Sequence, residues 1–114
     1  MSTQQKYIIA TLVENKPGVL YEVANMFRRR GFNIDSISVG TIETEDLARM
    51  TITVRGDENT IEQVVKQLHK IINVIKVSIL DPANIVVREL ALFKVHSVVS
   101  MARSDMIQYV DIFR

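Results

Sequence analysis

An α+β fold is predicted for this chain by two observations. Segments alternating apolar and polar residues at a spacing of two are interleaved with segments whose apolar residues recur at a spacing of three and four. Their order between Lys6 and Pro82 is strand, helix, strand, strand, helix, strand. Apolar residues form 47% of the 114-residue chain, enough for a core, and the net charge is only +1. That neutrality argues against a protein built to hold a phosphate backbone.

Lys6 to Val13 is β-rich and apolar on both faces, as a central strand should be. Glu14-Asn15-Lys16-Pro17-Gly18 breaks the pattern. Asn15 is expected to cap a helix, with Pro17 in its first turn. Val19, Leu20, Val23, Ala24 and Phe27 mark that helix, Arg28-Arg29-Arg30 its last turn, and Gly31 its stop. Asn33 to Ile42 reads as a strand with Ile37 and Val39 on one face. Glu43 to Asp46 forms a polar hairpin turn. In Leu47 to Arg55, Ala48, Met50, Ile52 and Val54 face one way and Arg49, Thr51, Thr53 and Arg55 the other. Asn59 and Glu62 are spaced as a capping box for a second helix carrying Ile61, Val64, Val65, Leu68 and Ile72. Ile75, Val77 and Ile79 share one face of a last strand, and Asp81-Pro82 closes the unit.

The resulting βαββαβ unit is ferredoxin-like: a four-stranded antiparallel sheet with two helices on one face. Residues 1–82 make this domain. The strand after Asn33 falls at a sheet edge, and an exposed edge must be covered or paired, so a homodimer joining sheets side by side is expected. Residues 83–114 read as a linker followed by an incomplete βα of a second unit, with a strand over Arg88 to Val95 and a helix over Met101 to Phe113. A lone strand and helix bury little. Such a tail belongs to a truncated second domain, or docks on the first domain or a partner.

The turn at Asn15 to Leu20 opens onto unpaired helix N–H groups, suited to a small carboxylate or a phosphate. Gly18 leaves the backbone approachable. Asn33 offers an amide donor and acceptor to a zwitterion, and Val19, Leu20 and Ile34 an apolar slot. The same residues also read as an ordinary cap, turn and helix stop, and the physics of the segment leaves both readings open.

Several tempting residues carry less. The chain has no cysteine, which removes thiolate chemistry and suits a reducing compartment. His69 and His96 have no partner at metal-ligand spacing. Glu43, Glu45 and Asp46 fit no calcium loop and read as a solvated turn. Arg28 to Arg30 read as a solvated helix end or a contact for an acidic partner. Met26, Met50, Met101 and Met106 read as fillers of core or interface. Neither a cleaved leader nor a membrane span is legible, so a soluble cytoplasmic protein is expected.

Leu12 to Leu20 followed by Phe27-Arg28-Arg29-Arg30-Gly31-Phe32-Asn33-Ile34-Asp35-Ser36-Ile37 resembles the ACT domain of acetohydroxyacid synthase (acetolactate synthase) small regulatory subunits. The Asn-x-Pro-Gly-Val-Leu turn is shared by many ACT domains; the run from Arg30 to Ile37 is more particular. Arg49 to Ile52 with Gly56-Asp57, Glu62-Gln63, Lys66 to Lys70, Val74 to Val77, Arg88 to Val95 and Ile112-Phe113-Arg114 are similar too. The resemblance implies a non-catalytic subunit of branched-chain amino acid biosynthesis. Such subunits bind valine between two ACT domains, here through Asn15, Gly18, Val19, Leu20, Asn33 and Ile34. They confer activation and feedback inhibition on a large catalytic subunit. No cofactor is implied for this chain; that partner is expected to use thiamine diphosphate, Mg and FAD. The segment His96 to Asp105 fits the family loosely and inherits no role.

Rival functions on this topology find less support. An acylphosphatase needs a Gly-rich anion loop with a catalytic Arg, where this chain has Lys16-Pro17. An RNA-binding module needs aromatics on its central strands, and Arg49, Thr51, Thr53 and Arg55 supply none. An ACT-domain sensor of a different amino-acid pathway shares the turn but not the run after Arg30.

Overall fold

The computed structural model describes residues 4–96 and 100–112 and, within the last helix, the side chains of residues 103–110. Phe113, Arg114 and the side chain of Met101, all invoked above, lie outside the described residues. The elements are β1 (Gln5–Glu14), α1 (Val19–Arg30), β2 (Ile34–Thr41), β3 (Leu47–Gly56), α2 (Glu58–His69), β4 (Val74–Ile79) and, after a 3-10 turn at Pro82–Asn84, α3 (Ser100–Ile112). The sheet is antiparallel in the order β2-β3-β1-β4, so β1 is central and β2 lies at an edge, as the sequence predicts.

The core lies between one face of this sheet and the two helices α1 and α2. Ile9 and Val13 of β1 meet Ile52 and Ala48 of β3 in register, beneath Val23, Met26 and Phe27 of α1 and Ile61, Val64 and Leu68 of α2. Phe27 packs edge-on to Phe32, with ring centroids 6.0 Å apart and planes at 76°. That geometry adds to the burial of both rings. Gly31 stops α1 in the left-handed region at φ 70°, and its N–H and that of Phe32 close onto Arg28 and Phe27 carbonyls.

Five local readings are corrected. Asn15 does not cap α1: the N-cap is Gly18, at φ 88°, with no side-chain cap, and Pro17 precedes the helix. Asn59 does not cap α2 either. Asp57 does, accepting from Thr60 N–H at 2.8 Å and from the Thr60 hydroxyl at 2.8 Å. Ile72 lies beyond α2, 91% exposed, because the helix ends at His69. In β4 the alternation breaks at Ile75. Val13 pairs with Val74 and Leu12 with Lys76, so Ile75 is an inserted residue, a bulge, and stands exposed. Residues 88–95 form no strand and pair with no strand among the described residues.

Two predictions arise from this core. Thr11 is fully buried opposite Met50 and Val77, and its hydroxyl has no hydrogen-bond partner among the described residues. Thr11→Val is expected to stabilise the domain by about 1 kcal/mol, the usual cost of an unpaired buried hydroxyl. Urea unfolding checks this by a higher midpoint at unchanged slope. Asp57 has its pKa lowered, first by the Thr60 backbone N–H and then by the Thr60 hydroxyl. Its stabilising contribution is present above the ordinary value of 3.8 and is lost as pH falls through the lowered one. Asp57→Asn keeps a cap but loses this titration. Acid unfolding curves of the variant are expected to be flatter below that value.

Gly56 explains why the β3–α2 junction carries no side chain. A Cβ there would stand 2.8 Å from Thr60 Cβ and Cγ2, against the residue that Asp57 caps.

Candidate functional site

The β1–α1 turn is held in place by its neighbours rather than by its own helix. Asn15 N–H donates to the Asp46 carbonyl at 2.8 Å and Asn15 Nδ2 to the Glu45 carbonyl at 3.1 Å. Asn15 is therefore a fastener between this turn and the β2–β3 hairpin. Lys16 Nζ lies 2.7 Å from Glu14, whose carboxylate, by hydrogen bond and then by charge, raises the lysine pKa. Glu14 N–H is bonded to the Asn73 carbonyl at 2.9 Å.

Beyond this fixed turn the backbone is open. The N–H groups of Gly18, Leu20 and Tyr21 find no acceptor among the described residues, and Val19 N–H has only a long 3.4 Å contact to the Lys16 carbonyl. Three free donors at the positive end of a 12-residue helix can donate hydrogen bonds to an anionic group. A Cβ added to Gly18 would meet nothing within 4 Å, so the approach to these donors is clear.

The predicted side chains divide in accessibility. Val19 is 3% exposed and belongs to the core; Ile34 is half-buried against it; Leu20 is 46% exposed and free to touch a ligand. Asn33 is exposed, and its amide has no partner among the described residues.

The two halves of the predicted site are not neighbours within one protomer. Gly18 and Gly31 bracket the 12 residues of α1, which span about 18 Å at 1.5 Å per residue. The same separation is visible in the sheet. Ile34 stands opposite Val54, which pairs with Tyr7 near the start of β1, whereas Asn15 follows the end of that strand. The separation within one protomer follows from the length of α1 between the two turns.

The flank of α1 turned away from α2 is the one left uncovered. Tyr21, Glu22, Asn25 and Arg29 face residues 70–73, where Asn73 Nδ2 donates to Glu22 at 3.2 Å. At 100° per residue the opposite flank carries Leu20, Ala24 and Arg28, all exposed. Below it runs edge strand β2, with Val39 half exposed and an outer edge that pairs with nothing among the described residues.

This sheet and its β1–α1 turn match known proteins closely. Residues 9–76 match the family model described as the AHAS small subunit-like ACT domain. The chain belongs to this family. Among its relatives, the probable acetolactate synthase small subunit of Methanothermobacter thermautotrophicus is 56% identical over 108 residues, covering 95% of this chain and 64% of that protein. The acetolactate synthase small subunit of Mycobacterium avium is 51% identical over 110 residues, covering 96% and 65%. The chain thus spans just under two thirds of the length of these relatives. The crystal structure of the acetolactate synthase small subunit from Thermotoga maritima superposes with a TM-score of 0.66 at 51% identity, over 70% of this chain and 50% of that one. The ACT domain of a Chlorobium tepidum GTP pyrophosphokinase shares the fold alone, with a TM-score of 0.59 at 16% identity.

Proposed function

We propose that this ACT-domain chain is the amino-acid-sensing part of a regulatory, non-catalytic subunit of acetohydroxyacid synthase. It binds a branched-chain amino acid, chiefly valine, between two copies of the domain. The carrying observation is the division of the candidate site between the two ends of α1. A carboxylate receptor lies at Gly18 to Tyr21 and a free amide at Asn33, about 18 Å away. A two-fold pairing through the β2 edges sets the two α1 helices antiparallel across the axis, so that Gly18 of one protomer approaches Asn33 of its partner. Leu20 then supplies the apolar wall. Ligand seated across such an interface favours the dimer geometry that accommodates it, and this is the means of passing the signal to a catalytic subunit. Thiamine diphosphate chemistry belongs to that partner, and the tail after Pro82 is the start of a second unit. The assembly works in the cytoplasm in branched-chain amino acid biosynthesis.

Calorimetric titration with valine tests the reading: a saturable heat is expected, and none at millimolar valine contradicts it. Val39→Asp places a charge on the β2 edge. It is expected to shift sedimentation toward the monomer and to remove valine binding with it. A monomer that still binds valine at full affinity contradicts the shared site. Coprecipitation of the full-length subunit with a thiamine-diphosphate-dependent large subunit, and activation of it, tests the wider assignment.

A further inference from the structure

The sheet face turned away from the helices is built as a trough. Ser38, Thr51, Ala10 and Ser78 stand side by side across all four strands, and their short side chains leave a depression. The next row toward the end of β1 is Gly40, Arg49, Leu12 and Lys76, which raises a cationic rim. On the other side Ser36, Thr53 and Ile8 continue the floor. Beyond them Lys6 and Arg55 face each other in register, bridged by Asp35 at 3.9 Å and 3.2 Å. Residues 85–89 cross this face as a strap and border an open cavity of about 480 Å³ that Ile8 and Leu80 also line. A second hollow of about 260 Å³ continues from Arg49 to Lys76.

The charges in this trough do not cancel. Asp35, beside the cavity, is engaged by Lys6 and Arg55, and the one acid among the residues lining the cavity is Glu89 on the strap. Arg49, Lys76 and Arg88 form no ion pair among the described residues. The cavity has the size of a small-molecule site. Its floor combines hydroxyl groups with half-buried Ile8 and Leu80. Cations poised over hydroxyls orient an anionic head, while an aliphatic floor takes an apolar body.

We infer that the open face of the sheet is a second ligand site, for a small organic acid with an aliphatic body, its carboxylate held by Arg49 and Lys76. The site lies on the opposite face from the helices and uses neither Gly18 nor Asn33. It therefore stands apart from the amino-acid site proposed above.

Hexanoate titrated into the ¹⁵N-labelled chain tests this, with hexan-1-ol and hexylamine as controls. Hexanoate is expected to move the amides of Ser38, Thr51 and Ser78 together, saturably, and both controls to act at least about tenfold more weakly. Arg49→Gln, and separately Lys76→Gln, should each weaken hexanoate about tenfold, the loss of one charge-assisted contact. The native dispersion of each variant's spectrum shows that it folds. Equal shifts from hexan-1-ol overturn the inference, as does a hexanoate response confined to the Gly18 turn. So do unchanged affinities in both variants, or amides of the trough that move with protein concentration alone, which assign the face to a second copy of the chain.

Discussion

Phe27→Ala is expected to destabilise this domain severely. Phe27 is 1% exposed and among the largest fully buried side chains. It sits on the α1 face that meets the sheet, and its ring makes the edge contact with Phe32 that fixes the exit from the helix. Truncating a buried phenylalanine costs about 3–5 kcal/mol, from lost transfer energy and the cavity left behind. A domain of this size has a total stability of only about 5–15 kcal/mol. The folded fraction therefore falls on the order of a thousandfold relative to the unfolded one. Urea titration followed by circular dichroism should show a midpoint lowered by about 2 M or more at unchanged slope. Collapse of the sheet around the hole is opposed by Met26 and Val23, which already fill their own positions.

Gly18→Ala is the complementary case, a large loss of binding with a modest loss of stability. Its φ of 88° lies where a Cβ costs about 1–2 kcal/mol, a strain the domain can bear. The added methyl meets no protein atom within 4 Å. It enters open space beside the free N–H of Gly18, in the region the proposed ligand would occupy. A carboxylate displaced from two such donors loses about 3 kcal/mol, so valine affinity is expected to fall about a hundredfold. Calorimetry with the folded variant checks this.

Much of the fold was legible because single residues carried unambiguous signals. The alternation of Ala48, Met50, Ile52 and Val54 placed β3, and all four are buried. Gly31 marked the end of α1, and its positive φ accounts for the choice of residue. What escaped depends on partners distant in sequence. Asn15 has the composition of a cap, but the hairpin carbonyls of Glu45 and Asp46 compete for it and win. The bulge at Ile75 exists only relative to Leu12 and Val13. Asp57 displaced Asn59 as the cap because α2 begins two residues earlier, where Thr60 supplies two donors.

The candidate residues could be named from the sequence, but where they stand relative to one another could not. Gly18 and Asn33 flank one helix in the sequence, and the family resemblance set them between two ACT domains without saying how far apart they stand in one protomer. The length of α1 separates them within one protomer, and the proposed pairing of two protomers is what would bring them together. The trough on the open face was visible only as outward-facing residues of β3. Its depth comes from Ala10 and Ser78 on strands that the sequence does not place beside Thr51.

The site shared between protomers is tested most directly by mixing two defective chains. Asn33→Ala and Gly18→Ala homodimers each carry two damaged sites. A mixed dimer joins the intact Gly18 of one chain to the intact Asn33 of the other. Equimolar mixing, after exchange of protomers, is expected to restore tight valine sites to about a quarter of the number in the unaltered protein, by the statistics of a two-fold dimer. A mixture that binds valine no more tightly than either parent would show that the site does not span the dimer.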